Sequence, residues 1–295
     1  MTRVLITGAG GQLGIDLQAV CAAAGDHVVA CSHADLNIAE REAVLQHLGA
    51  YRPDVVIHAA AYTNVDGCET EPDLAYAVNA LGTRHVAEGA SLIGARVVYV
   101  STDYVFDGRG TGSEGGGAYN EWDETNPISH YGRSKLGGER EVLAILGADA
   151  TIVRTSWVCG PNGHNFVKTM LRLADAGADD ATLVTVVGDQ RGCPTFTGDL
   201  ALALRRLAVG RLPGVFHVSN AEPVTWFEFA AEIFLQAGHD PGRVVRIASA
   251  DLRPIRPAPR PAVSVLENAA WRGAGLAPLR SWRDALSETI RTLRS

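Results

Sequence analysis

Tyr131 and Lys135 stand four residues apart in a stretch, Tyr131 to Leu146, whose pattern predicts a helix, so both side chains share one face. The pairing stands out because the chain has two lysines, Lys135 and Lys168, against 24 arginines. A phenol with a pKa near ~10 is a poor acid–base catalyst at neutral pH. A lysine ammonium beside it stabilises tyrosinate and moves the phenol toward the working range. The plainer alternative is a lysine laid along a packed tyrosine. Ser101-Thr102-Asp103 closes the β-branched run Arg96 to Val100, and a hydroxyl there can hold a carbonyl oxygen beside the tyrosine. By position, Thr102 takes that role.

A second constellation is Thr7-Gly8-Ala9-Gly10-Gly11-Gln12-Leu13-Gly14, directly after the run Val4-Leu5-Ile6 and at the start of a helical pattern. A pyrophosphate approaches the backbone only where side chains are missing, and the helix N-terminus then offers free N–H groups and a positive dipole end. The glycines are spaced GxxGxxG at Gly8, Gly11 and Gly14. In a chain with 32 glycines the strand–turn–helix context carries more weight than the spacing. Dinucleotide binding follows, and an oxidised nicotinamide would add to the effect of Lys135 on the phenol. The second strand ends at Cys31-Ser32-His33 with neither a carboxylate for a ribose 2′-hydroxyl nor an arginine for a 2′-phosphate. The choice between NADH and NADPH therefore stays open at this point. Asp35-Leu36 follows closely; its alternative role is to cap the next helix.

These residues need elements to hold them. Strands are predicted at Val4–Ile6, His27–Ala30, Val55–Ile57 and Arg96–Val100, and helices over Leu13–Ala24, Ile38–Leu48, Leu74–Gly89 and Tyr131–Leu146. Continuous apolar strands alternating with helices imply an α/β fold, a doubly wound parallel sheet of the Rossmann type. Beyond about residue 150 the rhythm loosens. Thr151–Ser156 and Leu183–Val187 read as strands and Leu200–Leu207 as helix, while Thr225 to Glu228 forms a capping box opening a helix through Gln236. The prolines of Arg253 to Pro261 exclude regular structure, and the glycine-rich Arg109 to Gly117 reads as a mobile loop. Residues 1–155, with parts of 183–220, are expected to bind NAD(P). Residues 156–182 and 221–295 are expected to make mainly a smaller C-terminal substrate-binding lobe.

Net charge is −7, with no basic run, which argues against nucleic acid or an anionic membrane as partner. No apolar stretch approaches the ~20 residues of a membrane span. The first strand begins too early for a signal peptide, so a cytoplasmic protein is expected. Five dispersed cysteines without a CxxC pair, and nine histidines without HExxH, give neither a disulfide framework nor a zinc site.

Taken together, the glycine turn, the strand-end threonine and Tyr131-xxx-Lys135 resemble the extended short-chain dehydrogenase/reductase superfamily. More narrowly, the chain is similar to the dTDP-4-dehydrorhamnose reductase family. The similarity rests on GGQLG (10–14), AAYTNVD (60–66), STDYVFDG (101–108), YGRSK (131–135), RTSWV (154–158), NFVKTM (165–170) and GDQRGCPT (188–195). The resemblance implies reduction of the C4 keto group of a dTDP-linked 4-keto-6-deoxyhexose by NADPH or NADH. It gives Tyr131 as proton donor, Lys135 as the nicotinamide-ribose ligand that lowers the phenol pKa, and Thr102 as the group orienting the carbonyl. It places Gly8, Gly11, Gln12 and Leu13 at the pyrophosphate, Asp35 and Leu36 at the adenosine end, and Ala61, Tyr62 and Thr63 between. Thr102, Asp103 and Trp157 would contact the sugar, and Asn165 and Arg260 the diphosphate. Trp157 could instead be a core aromatic and Arg260 a surface arginine. Cys159, where the family often has an aromatic residue, and Ala262-Val263-Ser264 depart from the pattern near the sugar, which bears on the exact substrate and not on the chemistry.

The family admits magnesium at a subunit contact, but the sequence shows no convincing ligand cluster. The implied assembly is a monomer or homodimer. A dehydratase is disfavoured because Tyr104 stands where elimination needs a glutamate. A reductase of a related dTDP-4-ketosugar in secondary metabolism, or a non-catalytic NADP-binding regulatory subunit, are the alternatives; the intact Tyr131–Lys135 pair favours catalysis.

Overall fold

The apolar runs of the first half become parallel strands: β1 (Arg3–Thr7), β2 (His27–Cys31), β3 (Val55–His58), β4 (Arg96–Thr102) and β5 (Ala150–Thr155). This is a computed structural model, which describes residues 1–111, 116–176 and 182–295. With Gly214–His217 the strands form one six-stranded sheet in the order Gly214–His217, β5, β4, β3, β1, β2. The helices between them are α1 (Gln12–Ala23), α2 (Arg41–Tyr51), α3 (Val65–Thr70), α4 (Pro72–Tyr76), α5 (Thr83–Ile93) and α6 (His130–Leu146).

Both sheet faces are covered, which is why the strands are apolar throughout. Val4 and Ile6 join Leu17, Leu204 and Leu207 in one core layer, while Leu5 joins Val44, Leu48 and Val86 in the other. Each such side chain contributes roughly 2 kcal/mol on burial, and a one-residue slip would exchange the two layers. The register is therefore strongly specified. From β2 the chain returns past β1 to β3, so the topology reverses between β1 and β3. In open α/β sheets that switch point opens the ligand crevice at the strands' carboxyl ends.

Two helices differ from expectation. Rather than one helix over Leu74–Gly89, α4 and α5 are joined by a π-helical turn, Ala77–Gly82. The second helix begins at Arg41, not Ile38. Asn37 turns the chain first, accepting from Ala39 N–H on its side chain and from Glu40 N–H on its carbonyl. Ile38 owes its apolar character to packing on Gly82, where an added Cβ would lie 3.0 Å from it.

The remaining residues build an aromatic lobe. Short pairs join Val158–Cys159 to Thr195–Phe196, Arg191–Gly192 to Val224–Thr225, and Val184–Val187 to Val244–Ile247. Helices Phe166–Ala176, Trp226–Gln236 and Trp282–Arg294 enclose a core containing Trp282, Phe229, Phe234 and Met170. The expected capping box is present: Glu228 N–H donates to Thr225 Oγ1, and Thr225 N–H to Glu228 Oε2. The proline-rich segment has no regular structure and is tied down by Ala258 N–H and Arg260, both donating to Asp66 of α3. Part of the glycine-rich loop, 112–115, lies outside the described residues; its flanks pair through Thr111 and Gly117.

Candidate active site

Because the strands are parallel, every segment leaving a strand's carboxyl end emerges on the same edge of the sheet. The strand order then lines up Trp157 after β5, Thr102-Asp103 at the end of β4, Ala60 to Thr63 after β3 and the glycine turn after β1. Tyr131 and Lys135 come from the first turns of α6, which crosses this edge.

The glycine turn tests whether a dinucleotide fits. Gly8 has φ +69°, and a Cβ there would lie 2.7 Å from Ala60 N; one on Gly14 would strike Gly8 O. Gly10 and Gly11 are exposed. Gly11 is the N-cap of α1 with no side-chain cap, and no acidic residue stands in the first turn. Such a helix end has open N–H donors and a positive dipole end suited to a phosphate anion. The residues fit the group. Leu13 is buried in the core, so its backbone N–H is what it can offer. Asp35 closes the turn after β2 by accepting from Ser32 N–H and Oγ–H at 2.8 and 2.6 Å, and these bonds hold its carboxyl below the usual range. Leu36 is buried in the core under α2. Ala61 and Tyr62 are partly exposed and Thr63 is exposed.

Helix α6 approaches β4 closely because glycines notch it. A Cβ on Gly132 would meet Tyr104 O, and one on Gly138 would meet the Tyr99 hydroxyl. Ser129 caps the helix by accepting from Gly132 N–H. The Tyr131 phenol is thereby brought beside Thr102. Burial pushes the phenol well above its usual pKa; the neighbouring Thr102 hydroxyl opposes this and the Asp103 charge adds to it. Burial thus outweighs the lowering expected from Lys135, and the phenol is held protonated at neutral pH. Lys135 is 2% exposed, with Nζ donating to Val100 O at 2.7 Å and lying 4.1 Å from the Tyr99 ring centroid. Burial pulls its pKa down to about 7, against a raising influence from Glu139.

Asp103 is buried, with Oδ1 accepting from Thr102 Oγ1 at 3.1 Å and Oδ2 lacking a partner in hydrogen-bonding geometry among the described residues. Desolvation raises its carboxyl to about 6, partly offset by neighbouring Ser264 and Thr102. Ser264, one of the sequence departures, therefore sits against the site, whereas Cys159 is buried in the lobe core.

On the lobe side, Trp157 has φ +46° and stacks on Trp226, with ring centroids 3.6 Å apart. Gly192 packs against the same ring, where a Cβ would lie 2.5 Å from the indole. Asn165 caps helix Phe166–Ala176 by accepting from Lys168 N–H, and its Nδ2 donates to Gly160 O at 2.7 Å. Gln12 bridges to the lobe through Val158 O. Arg260 is held by Asp66 at 2.8 Å and lines a cavity of about 320 Å³ with Arg256 and Asp189. A larger groove of about 720 Å³ lies between α1 and helix Thr197–Gly210, away from all the candidate residues.

Several residues at the site carry little or no signal in the sequence. Asn79, on the π-helical turn, accepts from Tyr62 N–H and donates to Tyr62 O and Ser134 Oγ, joining the β3 loop to α6. Nothing in the sequence marks it. Glu139, Arg154 and Ser101 form a buried cluster beneath Lys135. The one available signal was the four-residue spacing of Glu139 from Lys135. Trp226 carried only its place in the capping box.

Fold and site together define a dinucleotide-binding oxidoreductase of the short-chain dehydrogenase/reductase type. The chain belongs to the family described as "RmlD substrate binding domain", whose model matches residues 1–295. It is 45% identical to a dTDP-4-dehydrorhamnose reductase of Mycobacterium tuberculosis, over 98% of this chain and 92% of that one. It is 46% identical to a probable dTDP-4,6-dihydroxy-2-methyloxan-3-one 4-ketoreductase of Streptomyces antibioticus, over 98% and 94%. A Bacillus anthracis dTDP-4-dehydrorhamnose reductase solved with NADP superposes with TM-score 0.92 at 38% identity, covering 99% of both chains. No described helix is long and apolar enough to cross a membrane.

Proposed function

We propose that this chain reduces the C4 keto group of dTDP-4-dehydro-6-deoxy-L-mannose (dTDP-4-dehydro-L-rhamnose) with NADPH or NADH, giving dTDP-L-rhamnose. The observation that carries the reading is the Tyr131 phenol beside Thr102 with Lys135 one helical turn away, on the edge that also holds the glycine turn. The names of the relatives from Mycobacterium tuberculosis and Bacillus anthracis support this substrate, and the bound NADP of the latter supports the cofactor.

The nicotinamide supplies a hydride to the carbonyl carbon. Thr102 holds the carbonyl oxygen, and Tyr131 gives its phenolic proton to that oxygen as negative charge develops. The Lys135 ammonium steadies the tyrosinate left behind. Gly8, Gly11, Gln12 and Leu13 would hold the pyrophosphate, Asp35 and Leu36 the adenosine end, and Ala61 to Thr63 the span between. Thr102, Asp103, Trp157, Asn165 and Arg260 would take the sugar nucleotide. This assigns the cofactor to residues 1–155 with parts of 183–220, and the sugar nucleotide mainly to the lobe, in a monomer or homodimer.

Nicotinamide absorbance followed with dTDP-4-dehydro-L-rhamnose, offering NADPH and NADH separately, tests the reading. Rapid oxidation with dTDP-L-rhamnose as product is expected. Oxidation only with another dTDP-4-ketosugar would favour the second reading, a related ketoreductase, to which the name of the Streptomyces antibioticus relative points. Cofactor binding without oxidation of any 4-ketosugar would overturn both.

A further inference from the structure

The catalytic helix carries a second buried charge that the mechanism above leaves unused. Glu139 lies one turn beyond Lys135 on the same face of α6, and its side chain is 3% exposed. Its Oε1 accepts from Ser101 Oγ at 2.5 Å and from Arg154 Nε at 3.0 Å, and its Oε2 from Arg154 Nη2 at 2.8 Å. Ser101 is the residue before Thr102 and pairs in register with Arg154 across β4 and β5. One carboxylate therefore ties the ends of two strands to the helix, one residue from Thr102 and four from Lys135.

We infer that Glu139 is a positioning residue for reduction: its carboxylate fixes the spacing between Thr102 and the Tyr131–Lys135 pair and supplies the negative charge that keeps Lys135 an ammonium. A buried ion pair is a weak way to gain stability, since well-packed apolar side chains often do as well. Its location against both halves of the proton-donating apparatus is what gives it a use.

The groups facing Lys135 single out Glu139. From β3 comes His58, held neutral by burial with its pKa near 3; from β4 comes Tyr99, whose phenol burial raises further. From β5, Arg154 is engaged by Glu139 itself. On α5, Arg84 pairs with Glu88 and Glu141. Past β4, Asp103 and Tyr104 face Tyr131, as does Cys68 of α3, whose thiol burial lifts to about 11. Burial pulls Lys135 down while Glu139 holds it up, so loss of the Glu139 charge leaves the amine neutral over more of the neutral range. Burial lifts the Asp103 carboxyl only to about 6, on the acid side of this window.

The inference rests on the proposed reduction for its catalytic half only, and two readouts separate the parts. Because the chain has two lysines, ¹³C-lysine labelling gives two Cε signals, assigned with Lys168→Arg, and the Lys135 midpoint is read directly. Glu139→Gln is expected to lower that midpoint by about one pH unit or more. The alkaline limb of kcat/KM for the sugar nucleotide, at saturating cofactor, should move down with it. Glu139→Gln with Arg154→Met removes the stranded guanidinium, so the shift is measurable even if the single variant folds poorly. Glu139→Asp should restore the limb in part. An unmoved midpoint, or a midpoint that moves while kcat/KM falls by one factor at every pH, would overturn the inference. A wild type that titrates as expected yet reduces no 4-ketosugar would sink the functional reading and the catalytic half with it.

Discussion

The glycine turn after β1 and the Trp157 corner after β5 occupy the same edge of the sheet, and each depends on a glycine for a different reason. Gly8 is required by its own backbone: φ is +69°, and the atoms a Cβ would meet belong to the main chain of Ala59 and Ala60. Gly192 is required by someone else's side chain, because the Trp157 indole lies where its Cβ would be. In the half proposed to bind the dinucleotide, strand pairing and helix ends place the donors, and side chains are absent where a ligand would come near. In the lobe, stacked rings place one another, and Trp157 holds a left-handed φ where Trp226 and Gly192 both pack on its indole. The glycine turn is thus pre-formed by the backbone, whereas the Trp157 corner is only as firm as its packing.

The sharpest break between catalysis and binding is Tyr131→Phe. Removing the phenolic proton should lower kcat by about a thousandfold or more, while the cofactor dissociation constant, read by fluorescence titration, stays where it was. Retained turnover would remove Tyr131 from the mechanism. The next largest effect separates the two glycines. Gly8→Ala should weaken cofactor binding about tenfold or more and cost about 1–2 kcal/mol of stability through the left-handed backbone. Gly192→Ala should raise KM for the sugar nucleotide by about tenfold with cofactor affinity unchanged. If either substitution moved both constants together, the two regions would not be the independent sites described here.

This contrast also explains what could be read from the chain alone. The four early strands and the shared face of Tyr131 and Lys135 were legible because period, run length and spacing are local properties. The π-helical turn was not, since the apolar pattern of Leu74 to Gly89 continues through it, and the turn is revealed only by Asn79 reaching Tyr62 and Ser134. Ile38 misled because it packs against Gly82, an interaction made across 44 residues that local periodicity assigns to a helix. Trp157 and Trp226 are far apart in sequence, as are the ends of β4 and β5 from Glu139, and contacts of that kind leave no local trace. The motif GDQRGCPT could be matched, but why Gly192 must be glycine became clear only with the indole above it.

Asp103 stands between the two regions and carries the smallest predicted effect. Its carboxyl lies at about 6 in the folded protein against 3.8 for an ordinary aspartate, chiefly through desolvation. Between those values the folded state binds more protons than the unfolded chain, so stability falls as pH rises through this window. Above about pH 6 the full penalty is present, on the order of 2–3 kcal/mol; below about pH 4 it is absent. Asp103→Asn keeps an oxygen for Thr102 and removes the charge, so it should raise the melting temperature by several degrees at pH 8 and by little at pH 4. The same substitution should lower turnover if the carboxylate contacts the sugar as proposed. An equal gain in melting temperature at both pH values would show that the charge is not what burial penalises. A pH-dependent gain accompanied by lost activity would mean that the cleft keeps a destabilising carboxylate for the sake of its substrate.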